Sequence, residues 1–182
     1  MPTVRFPAHL TLIGSFSMPE PRSRPQEVAS KPLSFPTAIA RDELCDVATR
    51  HGLLDRLEVI GRIAPSAPLS FVVVRVYGLA DLNAAHGREA GDDTLRAVAK
   101  ELRDLTRPTD LVGRLTGSAF GLVLQGTGST AAAAVEARVS YRLAKLDLIA
   151  PPIEVRVSAA SGTGVNFEVL PLAAMDSFDD CG

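Results

Sequence analysis

Apolar residues recur at two different spacings along this chain, and the switches between them divide it into elements. From Arg41 onward Leu44, Val47, Leu53, Leu54, Leu57, Ile60 and Ile63 return at roughly helical intervals, which places them on one stripe of a helix. His51-Gly52 interrupts that stripe, so two short helices are expected, the second ended by Pro65 and Pro68. "LSFVVVRVYGL" then has the β-branched content and the length of a strand. A helical stretch follows, and "GDDTLRAVAKELRDLTR" sets Leu95, Val98, Ala99, Leu102 and Leu105 on one face. Asp92 or Asp93 is its expected N-cap and Pro108 its stop. "DLVGRL" and "AFGLVLQ" read as two strands of a hairpin closed at "TGS". Ser129 or Thr130 is the expected cap of the next helix, which runs through "AAAAVEARVSYRLAKLDL" until Pro151-Pro152, and "IEVRVSAASG" is the last strand.

The order strand, helix, strand, strand, helix, strand predicts an α+β fold of the ferredoxin-like βαββαβ kind. Its antiparallel sheet carries helices on one face and is preceded by short helices. In that arrangement the hairpin is a neighbour of the first strand. The prolines Pro2, Pro7, Pro19, Pro21, Pro25, Pro32 and Pro36 crowd the start of the chain, where neither period holds. Three regions are therefore expected: a flexible proline-rich tail over 1–38, a folded domain over 39–165, and an irregular tail over 166–182.

Composition narrows the function classes. A chain of 182 residues with 46% hydrophobic residues can bury one substantial core. Its net charge of -2 gives no broad cationic field for a nucleic-acid backbone, so nucleic acid is not an expected partner. Cys45 and Cys181 have neither a disulfide framework nor metal-ligand spacing, which fits a reducing cytoplasm. The apolar run Leu10 to Phe16 is too short to span a membrane and lacks a small-residue cleavage site, so neither a membrane nor a leader is expected. His9, His51 and His86 lie apart, with no nucleophile or ligand motif, and read as surface residues.

Three segments, "RDELCDVATR", "FVVVRVYGLADLNAAHGREAGDDTL" and "RPTDLVGRLTGSAF", resemble in order and spacing the GGDEF domain, the nucleotidyl cyclase-like module of diguanylate cyclases. The resemblance covers about residues 41 to 162 and rests on several anchors together. These are Asp42, Leu44 and Arg50; Asn83, Gly87, Gly91, Asp92 and Leu95; and Arg107, Asp110, Arg114, Gly117 and Phe120.

What the family needs for catalysis is missing from this chain. Such cyclases join two GTP molecules with divalent metal held by acidic residues on the first strand and the hairpin, because hard cations take carboxylate oxygens. The strand positions here are Arg75 and Tyr77, and the signature reads Thr116, Gly117, Ser118, Ala119 and Phe120. The family's triphosphate-contacting lysine has no counterpart in "AAMDSFDDCG". The resemblance thus implies a degenerate, catalytically inactive domain with no catalytic residues, no metal and no cofactor.

Two binding groups survive. Asn83 and Asp92 match residues that hold the guanine edge of GTP, although Asp92 can equally cap a helix and Asn83 can simply be exposed. Arg107 and Asp110 match the RxxD inhibitory site where cyclic di-GMP docks, a guanidinium fork beside a carboxylate acceptor. Their plain alternative is an arginine at a helix C-terminus followed by a turn aspartate. The helper arginine of that site falls on Ala137, after Glu136, with Arg138 one position away. Arg75 could take a phosphate where the metal would sit, but is better read as reaching solvent or pairing with an acidic neighbour.

The implied role is a cyclic di-GMP receptor or a regulatory adaptor working with a protein partner in that signalling system. The alternatives are a ligand-free interaction module and, last, residual cyclase activity. The sequence leaves the oligomeric state open.

Overall fold

A computed structural model describes residues 39–146, 153–164 and 167–176. Among the described residues nine elements follow one another: α1 (Arg50–Ile63), β1 (Pro68–Tyr77), α2 (Leu79–His86), α3 (Arg88–Leu105), β2 (Leu111–Arg114), β3 (Ala119–Gln125), α4 (Ser129–Leu143), β4 (Glu154–Thr163) and α5 (Leu170–Asp176). The four strands form one antiparallel sheet in the order β2-β3-β1-β4. The ferredoxin-like order is the expected one, with the hairpin beside β1.

Coverage of the sheet goes further than helices on one face. Val72, Val74 and Val76 of β1 pack under α3 and α4 through Leu95, Val98, Leu102, Val139 and Leu143. Leu69, Phe71 and Val73 point the other way, against Leu53, Leu57 and Ile60 of α1 and Leu170 and Ala174 of α5. The physical reason lies in β1 itself: an unbroken apolar run buries both of its faces, so the sheet needs two covers. One of those covers is α5, a helix in the region expected to be an irregular tail. Each large aliphatic side chain buried at these faces contributes about 1.5–3 kcal/mol.

Glycines set the depth at which α1 seats. Gly113 and Gly121 pair across β2 and β3. A Cβ on Gly121 would stand 2.7 Å from Leu53 Cδ2 and 2.8 Å from Phe71 Cζ, so the missing side chain makes the notch that Leu53 fills.

Four local expectations are corrected. Leu44 and Val47 belong to a loop rather than a first short helix. The Asp42 carboxylate accepts from the Leu44 and Cys45 N–H groups at 3.2 and 3.0 Å, and Asp46 turns at φ 52°. The chain thereby doubles back so that Arg41 bridges Ala48, and Ala48 in turn bridges Gly113 of β2. His51 and Gly52 lie in the first turn of α1, where Thr49 Oγ1 caps the Gly52 N–H at 3.2 Å.

Asp92 and Asp93 are not caps, because α3 starts at Arg88 after Gly87. Neither Ser129 nor Thr130 caps α4, whose N-cap is Gly128 with no side-chain hydrogen bond. That helix ends at Leu143. The tail over 1–38, the stretch leading to Pro151-Pro152, and residues 177–182 lie outside the described residues.

Candidate functional site

Two sites flank the β2–β3 hairpin. The first is an open cleft of about 810 Å³, and two glycines shape its far wall. Gly78 and Gly87 adopt φ 83° and 84°, a conformation costly for other residues, and so turn the chain sharply at each end of α2. Asn83 of α2 is thereby laid against the second turn of α3. A Cβ on Gly91 would collide with the Asn83 amide, so Gly91 is what lets that side chain sit there. Asn83, Arg88 and Asp92 line one side of the cleft, and Arg114, Thr116, Gly117 and Ser118 line the other. Asp92 is half-buried inside α3, which removes the capping role as its explanation.

Arg114 holds the hairpin in shape. Its Nε donates to the Thr116 carbonyl at 3.3 Å and its Nη2 to the Gly117 carbonyl at 2.9 Å. Its Nη1 reaches the Asp42 carboxylate at 3.2 Å, tying the loop before α1 to the signature turn. Burial works against charge on Asp42, but the Cys45 N–H and the Arg114 guanidinium outweigh it, and its pKa lies below the ordinary value. The Val76 N–H donates to the Ser118 carbonyl at 2.8 Å and anchors the turn to the end of β1.

The positions that would carry metal ligands by resemblance offer different chemistry. Arg75 stands in register with Ala119 on one side and Arg156 on the other. Tyr77 lies under the Arg156 guanidinium, 5.1 Å from its ring centroid, and Arg156 pairs with Glu154 at 2.7 Å. Cations, a phenol, a hydroxyl and a methyl are a poor donor set for a hard divalent cation. The residues here do not fit such a metal. Among the described residues no group of three or more His, Cys, Asp or Glu could hold a metal ion.

The second site lies where α3 gives way to β2. Arg107 is exposed, and its N–H donates to Asp110 Oδ2 at 3.1 Å while the Asp110 N–H donates to the Arg107 carbonyl at 3.0 Å. Asp110 Oδ1 is buried with no hydrogen bond. Burial is the largest influence on this carboxyl and raises its pKa. The N–H groups of Arg107 and Gln125 and the guanidiniums of Arg107 and Arg138 pull it the other way.

The sequence places the helper position on Ala137 and leaves Arg138 one position away from it. In the fold Arg138 reaches from α4 to the last turn of α3, donating from Nη2 to the Leu105 carbonyl at 3.1 Å. The only available signal was the helical register of α4, in which a one-residue offset turns a side chain by about 100°. Beside Asp110 a groove of about 420 Å³ runs between β2 and the loop before α1.

The fold and its two sites define a nucleotidyl cyclase-like domain with an arginine-aspartate corner behind its signature hairpin. The chain belongs to the GGDEF family: the family described as "Diguanylate cyclase, GGDEF domain" matches residues 39–168. It is 31% identical over 140 residues to uncharacterized protein y4lL of Sinorhizobium fredii, a match covering 76% of this chain and 16% of that protein. This chain thus spans a small part of that relative. The GGDEF domain of FimX from Pseudomonas aeruginosa superposes with a TM-score of 0.69 at 18% identity, covering 79% of this chain and 93% of that one. The GGDEF domain of DgcB from Caulobacter crescentus, solved in complex with c-di-GMP, gives 0.67 at 16% identity, covering 81% and 95%.

Proposed function

We propose that this GGDEF domain is catalytically inactive and acts as a cyclic di-GMP receptor or regulatory adaptor, with a protein partner in cyclic di-GMP signalling, in the cytoplasm. The observation that carries the reading is the convergence of Arg107 and Asp110, from the turn between α3 and β2, with Arg138 of α4. Two guanidiniums suit phosphate oxygens or a guanine edge, and one carboxylate suits guanine N–H donors. A domain of similar fold, that of DgcB, was solved with this ligand bound. The loss of cyclase chemistry rests on Arg75, Tyr77, Ser118 and Ala119, which leave no carboxylate where the reaction needs a metal.

Calorimetric titration of the purified protein with cyclic di-GMP tests the receptor role. Binding that Arg107→Ala weakens by about tenfold or more is expected, in line with loss of a charge-assisted pair. Absence of heat at high micromolar ligand, or full binding by the Arg107→Ala protein, would overturn it. Incubation with GTP and magnesium or manganese is expected to yield no cyclic di-GMP, and product would restore the enzyme reading.

A ligand-free interaction module is the second reading. The reciprocal Arg107–Asp110 hydrogen bonds favour it, because they give the pair a purpose in turning the chain. A partner that co-purifies equally with the wild type and with an Arg107→Ala/Asp110→Ala variant would decide for it.

A further inference from the structure

Asp46 has no part in the reading above, yet two arginines meet on its side chain. Arg41 Nη1 lies 3.1 Å from Oδ1, and Arg103 Nη1 lies 2.8 Å from Oδ2. Both Nη1 atoms also donate to the Asp46 carbonyl, at 2.8 and 3.0 Å. Among the described residues Asp46 alone, apart from glycines, has positive φ, a conformation in which aspartate is tolerated and most side chains are not. All three residues line the groove that Asp110 also lines.

We propose that this groove is an anion subsite continuous with the Arg107–Asp110 site. Arg41 and Arg103 take a phosphodiester of the cyclic dinucleotide there, and the Asp46 carboxylate fills that position when the ligand is absent. The inference rests on the receptor reading given above. A phosphodiester presents the same charge and the same pair of oxygens to guanidinium forks as a carboxylate does, so one replaces the other without a change of partners.

Geometry also favours exchange. The groove, about 420 Å³, is within the range of small-ligand sites, and Arg103 lies in the last turn of α3, just ahead of the turn that carries Arg107 and Asp110. The Asp46 side chain is 68% exposed and those of Arg41 and Arg103 are 63% and 39%, so solvent screens both ion pairs and the carboxylate leaves easily. The loop keeps its place when it does, because the carbonyl contacts of Asp46 and the Asp42–Arg114 pair remain.

Titration of the full chain with cyclic di-GMP, using Asp46→Asn and Arg103→Gln beside the wild type and Arg107→Ala, tests the subsite. Asparagine keeps the size and tolerates the turn but drops the charge. Asp46→Asn is expected to tighten the Kd by about tenfold and Arg103→Gln to loosen it by about as much. Binding that Arg107→Ala removes but Asp46→Asn and Arg103→Gln leave unchanged overturns the subsite and leaves the receptor standing. Weaker binding by Asp46→Asn overturns the competition. Binding by Asp46→Asn but not by the wild type supports the inference, and no binding by any of the proteins sinks it together with the receptor reading.

Discussion

At the scale of single residues the molecule is decided by where each charge ends up. Asp110 is the clearest case, since burial lifts its pKa above the ordinary 3.8 in spite of the arginines nearby. A carboxyl whose pKa is raised by folding binds its proton more readily in the native state. It therefore supports stability at low pH, and that support is lost as pH rises through the folded value. In the proposed receptor role ligand binding would have the opposite sign, because the carboxylate must be ionised to accept from guanine N–H groups. Affinity for cyclic di-GMP is thus expected to rise with pH and to level off above the folded pKa, which lies above 3.8. Asp110→Asn is expected to flatten that profile, and titrations across a pH series read it directly; an unchanged slope in the variant would place the titrating group elsewhere.

At the scale of elements, the loop before α1 and the hairpin behave as one unit through Asp42 and Arg114. Asp42 accepts two backbone N–H groups and the Arg114 guanidinium, and Arg114 in turn holds the turn carbonyls. Asp42→Ala leaves Arg114 half-satisfied and partly buried, and is expected to cost about 2 kcal/mol in urea unfolding at neutral pH. The lowered pKa of Asp42 fixes the pH dependence: its support is present above 3.8 and fades as pH falls through the folded value. The wild-type advantage over Asp42→Ala should accordingly shrink in acid, and an advantage that stayed constant would argue against this carboxylate. A second element-level expectation concerns the notch under α1. Gly121→Ala drives a methyl into Leu53 and Phe71, and should destabilise by about 1–3 kcal/mol.

These elements also show where sequence reading succeeds. The β1 run, the apolar stripe of α3 and the hairpin were legible because each carries a local period. The loop before α1 was not, because Leu44 and Val47 keep a helical spacing while the Asp42 side chain takes the N–H groups that a helix would use. Arg107 and Asp110 were legible as a pair three apart on one turn. Arg138 was not, because its approach depends on how α4 is rotated against α3. The seven-residue α5 is too short to show a period, and Pro171 stands in its first turn, where proline suits a helix.

At the scale of the whole molecule the sheet separates α5 from the proposed binding corner. Arg107, Asp110 and Arg138 belong to α4 and the α3–β2 turn, whose helices cover one face, while Leu170 of α5 helps close the other. Leu170 is 3% exposed, and Leu170→Ala is expected to cost about 2–5 kcal/mol through lost burial and a cavity beside Phe71 and Val73. Under the proposed receptor role its Kd for cyclic di-GMP should nevertheless match the wild type, because Arg107, Asp110 and Arg138 lie on other elements. Mass action then joins the two faces. Ligand at a hundredfold excess over Kd stabilises the native state by about 2.7 kcal/mol, much of what the cavity removes. Thermal melts of Leu170→Ala with and without cyclic di-GMP read both quantities in one experiment. A raised midpoint requires that the native fold binds the ligand. An unchanged midpoint in this variant, together with a raised one in the wild type, would mean that the two faces of the sheet are coupled and that the packing of α5 reaches the arginine corner.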